Sequence, residues 1–458
     1  MFKKCGKVDF GIIIFLLFIA FIIIIYNVKT TVSLLPFILV LVPIIFIIAF
    51  TNIDFALFLL IFFMLLSPEF SLGGVRGRDV VLRIDDIFLF VVFLGWLAKM
   101  ALNKEIGLSK VTPINSSIIV YIFVYVIGTL IGILNGTTRL IASIFYLLKY
   151  VEYFMLYFMV VNSLKDKKQI KFFVYAMLAV ALGISFYGCF MHLSGAERVT
   201  APFEGEGGEP NTLGGYLMMM MMIATGLILN LPSLKKKIIL AAGMCVAFAA
   251  FLFTLSRGSW VSFIPAYAVL LFLSRKGKLM LLIVSLLFIL LFSVIFPSFV
   301  YDRIEATFKD TTPRTIMGRE VVVDGSAAAR IDTWKDSIKH WSRSPIFGNG
   351  AGSAGSVVDN QYMRVLIETG LIGIIAFLLL LFSIYRSCLN VYTQVEDDHF
   401  AHGLTAGFLA GYVGLLVHSF GAATFILIRI MEPFWFLTAM VIMLPHLPNE
   451  EPIPEPRY

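Results

Sequence analysis

Apolar runs long enough to cross a bilayer recur along the whole chain, and they constrain the fold more than any other feature. A membrane-spanning α-helix needs about 20 consecutive apolar residues to cross the roughly 30 Å hydrocarbon core. The chain has 458 residues, of which 59% are hydrophobic and 14% charged. The short alternating strands of a membrane β-barrel are not seen. The sequence therefore predicts an all-α polytopic membrane protein with about 12–14 transmembrane helices.

The connections between the apolar runs predict the domain organisation and the topology. We expect an N-terminal transmembrane bundle at 1–296, a large extracytoplasmic loop at 297–364, C-terminal transmembrane helices at 365–446 and a cytoplasmic tail at 447–458. Lysines gather on alternate connections, as is typical of cytoplasmic loops in bacterial inner-membrane proteins. The run at 10–26 is predicted to be the first span, because no small-residue cleavage site follows it. The net charge of +7 reflects these lysines, and no nucleic-acid partner is expected.

Arginines dominate the connections on the opposite face, which we expect to be periplasmic or exterior. Arginine presents a planar fork of donors suited to bidentate binding of phosphate or carboxylate, whereas topology needs only positive charge. Local acids such as Asp79 and Asp302 account for part of this set, and the remainder predicts an anionic partner. The arginines are Arg76, Arg78, Arg83, Arg139, Arg198, Arg257, Arg303, Arg314, Arg319, Arg330, Arg343 and Arg364.

The end of the large loop predicts an amphipathic helix lying in the membrane interface. Apolar residues recur at helical spacing through 330–341, and Trp334 and Trp341 lie on that stripe. Pro345 ends the pattern. Arg330, at the start of the helix, is a candidate anion ligand.

Two further stretches on the arginine-rich face carry candidate site residues. Arg257 lies between two apolar runs with almost no loop, where an ionisable group either faces a cavity or ligand, or snorkels to the headgroups. Gly258 is expected to form a tight turn that aims Arg257 inward. The glycine-rich loop 198–216 contains Arg198 and Asn211 and leads into the span predicted at 213–230. Asn211 either helps that helix N-terminus to attract an anion or is an ordinary cap, and the glycines are consistent with a mobile gate.

The glycine-rich segment 348–355 predicts a run of accessible backbone N–H groups. Its GxGxxG spacing does not indicate a dinucleotide site, because no strand precedes it. The N–H groups of Gly350 and Gly352 are candidates for binding phosphate oxygens. Asp359, which follows closely beside Asn360, is either a helix cap or a general base that deprotonates a hydroxyl.

Three ionisable residues inside the predicted spans remain open to two interpretations each. Lys149 and Glu152 are three residues apart on one helix face, so they form a neutralising pair or face a substrate cavity. His418 is either a hydrogen-bonded helix residue or a base. The four cysteines lie far apart without metal-type spacing, so no metal or other cofactor is expected.

Taken in order, four motifs resemble the O-antigen ligase/polymerase family of membrane glycosyltransferases. They lie within residues 198–373 and read RVTAPFEGEGGEPNTLGGYL, SRGSW, RIDTWKDSIKHWSRSPIFGNGAG and DNQYMRVLIETGLIG. The resemblance implies a GT-C-like helical fold that acts without metal on an undecaprenyl-diphosphate-linked oligosaccharide donor. It implies that Arg257 and Arg330 bind the donor diphosphate while a hydroxyl of a glycan or lipid-linked acceptor attacks with inversion.

One departure from the family pattern bears on the reaction. Ligases of the family usually carry a His-Asn pair where this chain has Asp359 and Asn360. An aspartate can serve as base, and the change fits a repeat-unit polymerase slightly better than a ligase. A transporter or flippase of lipid-linked sugar or organic anion is the alternative from another class, and a non-catalytic assembly subunit is a third.

Overall fold

The computed structural model describes residues 35–75, 78–104, 110–204, 208–274, 277–295, 305, 311–316, 319–355 and 358–448. The predicted first span at 10–26 and the tail from 449 lie outside these residues. The first half contains α1 (Leu35–Thr51), α2 (Ile53–Leu66), β1 (Glu69–Val75), β2 (Arg78–Arg83), α3 (Ile84–Leu102), α4 (Asn115–Leu134), α5 (Leu140–Ser163), α6 (Lys167–Leu193) and α7 (Pro210–Asn230). The second half contains α8 (Leu234–Phe253), α9 (Arg257–Leu273), α10 (Lys278–Ile295), β3 (Thr311–Ile316), β4 (Arg319–Asp324), α11 (Gly325–Trp341), α12 (Gln361–Gln394), α13 (His399–His418) and α14 (Ile428–Met443).

The prediction of an all-α polytopic membrane protein is confirmed. Within the described residues, eight helices are long and apolar enough to cross a membrane, and three shorter apolar helices accompany them. The strands form two antiparallel hairpins, β1–β2 and β3–β4, which are confined to connections. Helices prevail in the spans because lipid offers no partner for a backbone N–H or C=O group.

Short connections make consecutive helices antiparallel, so the connections gather at two ends of the bundle. At one end, Gln361 N at the start of α12 donates to Ser419 O just after α13, at 2.9 Å. At the other end, Lys165 between α5 and α6 pairs with Asp54 of α2 at 2.8 Å. Arg257 lies at the first end, which we call the arginine end, and Lys165 at the second, the lysine end. Which compartment each end faces stays a prediction.

Helix α7 forms the centre of the bundle and is buried on all sides. Glycines let α13 approach it closely: a Cβ at Gly226 of α7 would lie 2.3 Å from Gly403 O, and a Cβ at Gly407 would lie 2.5 Å from Met222 O. Small residues four apart are the usual device for close helix packing in membranes. The five consecutive methionines at 218–222 are all buried there, as side chains that adapt to an irregular interface.

Helix α12 is broken at Gly370, whose φ of 66° places it in the left-handed region. The segment before it fills the break, because Pro345 O accepts from Leu371 N at 2.9 Å and Ile346 O accepts from Ile372 N at 3.2 Å. A side chain at Gly370 would collide with Ile346 O at 2.4 Å. The break therefore fixes the loop after α11 against the membrane helices at the arginine end.

Candidate active site

A continuous hydrogen-bond network connects three helix ends at the arginine end. Ser256 Oγ donates to Asn211 Oδ1 at 2.6 Å and lies 2.8 Å from Ser259 Oγ. Ser259 Oγ lies 3.2 Å from His418 Nε2, and His418 Nδ1 lies 2.8 Å from Thr424 Oγ1. We call these five residues the His418 network. It joins the starts of α7 and α9 to the end of α13.

The network assigns the hydrogens of His418. Because the Ser256 hydroxyl donates to Asn211, the Ser259 hydroxyl donates to Ser256, which leaves His418 Nε2–H as the donor to Ser259. Nδ1 lies 2.8 Å from Thr424 Oγ1, whose hydroxyl is also within 3.4 Å of Ala422 O. His418 is 1% exposed and both ring nitrogens are occupied, so this arrangement suits a positioning group rather than a base.

Two adjacent glycines of α7 make room for the network. A Cβ at Gly214 would lie 2.4 Å from Ser259 Oγ, and a Cβ at Gly215 would lie 3.2 Å from Cε1 of His418. The Asn211 backbone also interacts with His418. Asn211 is not the cap expected from sequence, because α7 begins at Pro210 with Glu209 as its N-cap. The Asn211 side chain instead accepts a hydrogen bond from Ser256, at the start of another helix.

Arg257 is the first residue of α9 and directly follows Ser256, whose side chain caps that helix. Leu255, with φ 49°, makes the turn into it. Gly258 was expected to make this turn, but it lies within the helix with open space around its Cα. Arg198 supports the same turn, since its Nε donates to Thr254 O at 3.2 Å and its Nη2 to Leu255 O at 3.5 Å.

Arg330 approaches the same region from α11. Its charge acts on His418, although 88 positions separate them in sequence. The side chain is half-buried, and among the described residues it makes no hydrogen bond or ion pair. The helix predicted at 330–341 is confirmed as part of α11, and its place in the membrane interface stays a prediction.

Asn360, and not Asp359, caps α12, so the cap expected for Asp359 is wrong and its role as a base stays a prediction. Asn360 is the cap: its Oδ1 accepts from Met363 N at 3.0 Å, and its Nδ2 donates to Phe420 O at 3.2 Å. Asp359 is exposed and makes no hydrogen bond among the described residues. Because Phe420 lies two residues after His418, the hydrogen bond from Asn360 joins the start of α12 to the end of α13.

The glycine-rich segment is held by Glu368 of α12, and this corrects the expectation of accessible N–H groups. Gly350 N donates to Glu368 O at 2.9 Å, and Gly352 N donates to Glu368 Oε1 at 3.2 Å. Tyr125 also donates to Glu368, and Arg364 pairs with it at 3.2 Å. The two N–H groups are therefore occupied within the protein, and the glycines serve close packing.

Lys149 and Glu152, both half-buried, belong to a second group of ionisable residues. Oε1 of Glu152 is buried and has no hydrogen-bond partner among the described residues. Its charged neighbours are Asp86, Asp85 and Arg83 as well as Lys149. The pair expected from sequence is thus one part of a larger cluster on α3 and α5.

Sequence reasoning missed the residues that connect the site. Ser259 follows Ser256 at the spacing of a helix cap, so the two serines look ordinary until His418 is placed beside them. Arg364 is one of many arginines in the sequence, and Glu368 lies inside a predicted span without any motif that marks its role. Across the described parts of the chain, no group of three or more His, Cys, Asp or Glu residues is arranged to hold a metal ion.

Part of the chain matches a known protein family. Residues 241–378 match the family model described as O-antigen ligase. That stretch contains Arg257, Arg330, Asp359 and Asn360, whereas Arg198, Asn211 and His418 lie outside it. No curated protein matches the chain. This match supports the resemblance found in the sequence: residues 241–378 of this multi-pass membrane protein are similar to the O-antigen ligase family.

Proposed function

We propose that the protein is a glycosyltransferase of surface-polysaccharide biosynthesis that takes glycan from an undecaprenyl-diphosphate-linked oligosaccharide. It transfers this glycan to a glycan or lipid-linked acceptor, or polymerises it, on the extracytoplasmic face of the bacterial inner membrane. The observation that carries the proposal is that two arginines flank the His418 network: Arg257 directly follows Ser256, and the charge of Arg330 acts on His418. The match of residues 241–378 to the O-antigen ligase family model supports it.

The two arginines supply the electrostatic part of the reaction. As the bond between sugar and diphosphate breaks, negative charge develops on the leaving diphosphate, and fixed cationic donors stabilise it. Arg257 and Arg330 are assigned this role, while the hydrogen bonds of Arg198 to the backbone before α9 hold Arg257 in place. Asn211 and His418 position the start of α9 through Ser256 and Ser259. This chemistry needs no metal ion.

Asp359 is assigned the base. An exposed carboxylate with no hydrogen bond among the described residues can accept the proton of an acceptor hydroxyl as that hydroxyl attacks the anomeric carbon. Attack from the face opposite the leaving diphosphate gives inversion. Asn360 holds the start of α12, so the variant Asp359→Asn removes the carboxylate and leaves the helix cap intact.

The test uses purified full-length protein in lipid, a polyprenyl-diphosphate repeat unit, and product analysis by gel. Arg257→Ala and Arg330→Ala should each lower turnover by about 100-fold or more, as removal of one charge-stabilising donor does elsewhere. Arg→Lys should restore little of it, since lysine cannot bind phosphate with two parallel hydrogen bonds. Arg343→Ala is the matched control, because Arg343 is an exposed arginine just after α11.

The products distinguish the two reaction types. A ladder from the donor alone means a polymerase, and one product formed only with a second acceptor means a ligase. Full product from the Arg257→Ala and Arg330→Ala variants would refute the assignment of these residues. No turnover by the wild-type protein across a range of donors would favour a transporter of lipid-linked sugar.

A further inference from the structure

A second site for an anion is suggested by a polar cavity at the lysine end of the bundle. The cavity encloses about 750 Å³ between α6, α8, the start of α13 and the connection before it. Small-molecule sites typically occupy roughly 300–1,000 Å³. None of its lining residues belongs to the His418 network or to the arginines around that network.

Three lysines line this cavity from two helices: Lys167 and Lys171 of α6, and Lys236 of α8. The acids that face them are Asp397 and Asp398, on the connection before α13. Asp398 is already engaged, since it accepts from Phe400 N at 3.1 Å and pairs with Lys167 at 3.1 Å. Its charge is therefore compensated within the protein, together with that of Lys167.

The other two lysines are held over aromatic rings. Lys171 Nζ lies 5.6 Å from the centroid of Phe400, and Lys236 Nζ lies 6.0 Å from the centroid of Tyr175. The two rings contact each other, with centroids 5.9 Å apart. Such cation–π contacts orient an ammonium group without neutralising it. Neither Nζ makes a hydrogen bond or ion pair with the residues that the structure describes.

We propose that this cavity binds a phosphate-bearing anion, with Lys171 and Lys236 as its main ligands. Lysine ammonium groups bind phosphate as point charges, and two of them project from one aromatic wall here. Apolar residues, among them Leu231 and Pro445, form another part of the lining. This combination suits the phosphodiester of an anionic phospholipid headgroup as well as a free phosphate, and the two sources are separated by experiment.

The experiment measures thermal stabilisation of the full-length detergent-purified protein by two probes. One probe is phosphatidylglycerol in mixed micelles, against phosphatidylcholine as the neutral lipid, and the other is inorganic phosphate. The variant Lys171→Gln/Lys236→Gln should weaken the anion response by about tenfold or more in half-saturating concentration. The matched control is Lys168→Gln/Lys235→Gln, which removes two exposed lysines of the same helices that do not line the cavity.

A third variant keeps the test decisive if the double substitution fails to fold. Asp398→Asn removes a negative charge from the cavity while asparagine still caps α13, so it should strengthen the anion response by severalfold. A response to phosphatidylglycerol alone assigns a lipid headgroup, and a response to both probes assigns a phosphate of either source. Equal losses in the two double variants, or no response of the wild-type protein to either anion, would overturn the proposal. Because the readout is stability, its failure is distinct from failure of the proposed transferase activity.

Discussion

Replacing Gly214 with alanine tests whether the close approach of α7 and α9 positions the His418 network. A Cβ at Gly214 would lie 2.4 Å from Ser259 Oγ and 2.8 Å from Ser259 Cβ, whereas ordinary contact begins at 3.4 Å. The helices must therefore separate by about 1 Å at this point, or the Ser259 side chain must turn away. Either change breaks the 3.2 Å contact between Ser259 and His418.

The expected magnitudes separate an effect on the site from a failure to fold. Overpacking of this kind costs about 1–3 kcal/mol of folding free energy, which a bundle of this size should tolerate. A displacement of about 1 Å near reacting groups costs on the order of 100-fold in rate. We therefore expect Gly214→Ala to fold and insert, to melt a few degrees lower, and to lose about 99% of its turnover.

The assay is product formation from a polyprenyl-diphosphate repeat unit, with melting followed in the same preparation. Gly258→Ala is the control: it adds the same methyl group one residue from Ser259, but its Cβ would meet nothing within 4 Å. This variant should retain turnover. Wild-type turnover in Gly214→Ala would refute the positioning argument, and so would an equal loss in Gly258→Ala.

The sequence was sufficient to place the described helices, because hydrocarbon leaves a long apolar segment little choice but to form a helix. Even the short apolar stretch at 259–273 forms a helix, as the main part of α9. The separation of lysines from arginines likewise predicted which connections share an end of the bundle. The helix positions and the grouping of the connections depend on the composition and length of each segment. They can therefore be predicted without knowing how the helices pack.

The sequence predicted a site residue only where its neighbours in the chain make it unfavourable without a partner. Arg257 stood out because an ionisable group bordered two apolar runs. The roles of Gly350 and Gly352 depended instead on Glu368, whose backbone and side chain take up their N–H groups. A GxGxxG spacing shows that the backbone can adopt unusual angles, and it cannot show which acceptor will face it. The acceptor became known only from the structure, in which α12 packs beside that segment and places Glu368 against it.

Three further predictions concern stability. Gly226→Ala should lower the melting temperature by several degrees, because its Cβ would collide with Gly403 O at 2.3 Å. The control Gly183→Ala should leave the melting temperature unchanged, because nothing lies within 4 Å of its Cβ. Equal melting temperatures of the two variants would contradict the argument. Burial raises the pKa of Asp398, but the Ala401 N–H and Lys167 outweigh it and lower the pKa overall. The Asp398 carboxylate therefore stabilises the folded protein above the ordinary carboxyl pKa, and this stabilisation is lost as the pH falls through the lowered pKa of Asp398. The difference in melting temperature between the wild type and Asp398→Asn should accordingly shrink in acid. Glu432 on α14 is fully buried, and neither carboxylate oxygen has a hydrogen-bond partner among the described residues. A buried carboxyl group without such partners costs free energy, so the nearly isosteric Glu432→Gln should melt at or above the wild-type temperature. A fall of several degrees would instead show that the Glu432 carboxyl group makes a stabilising interaction in the folded protein.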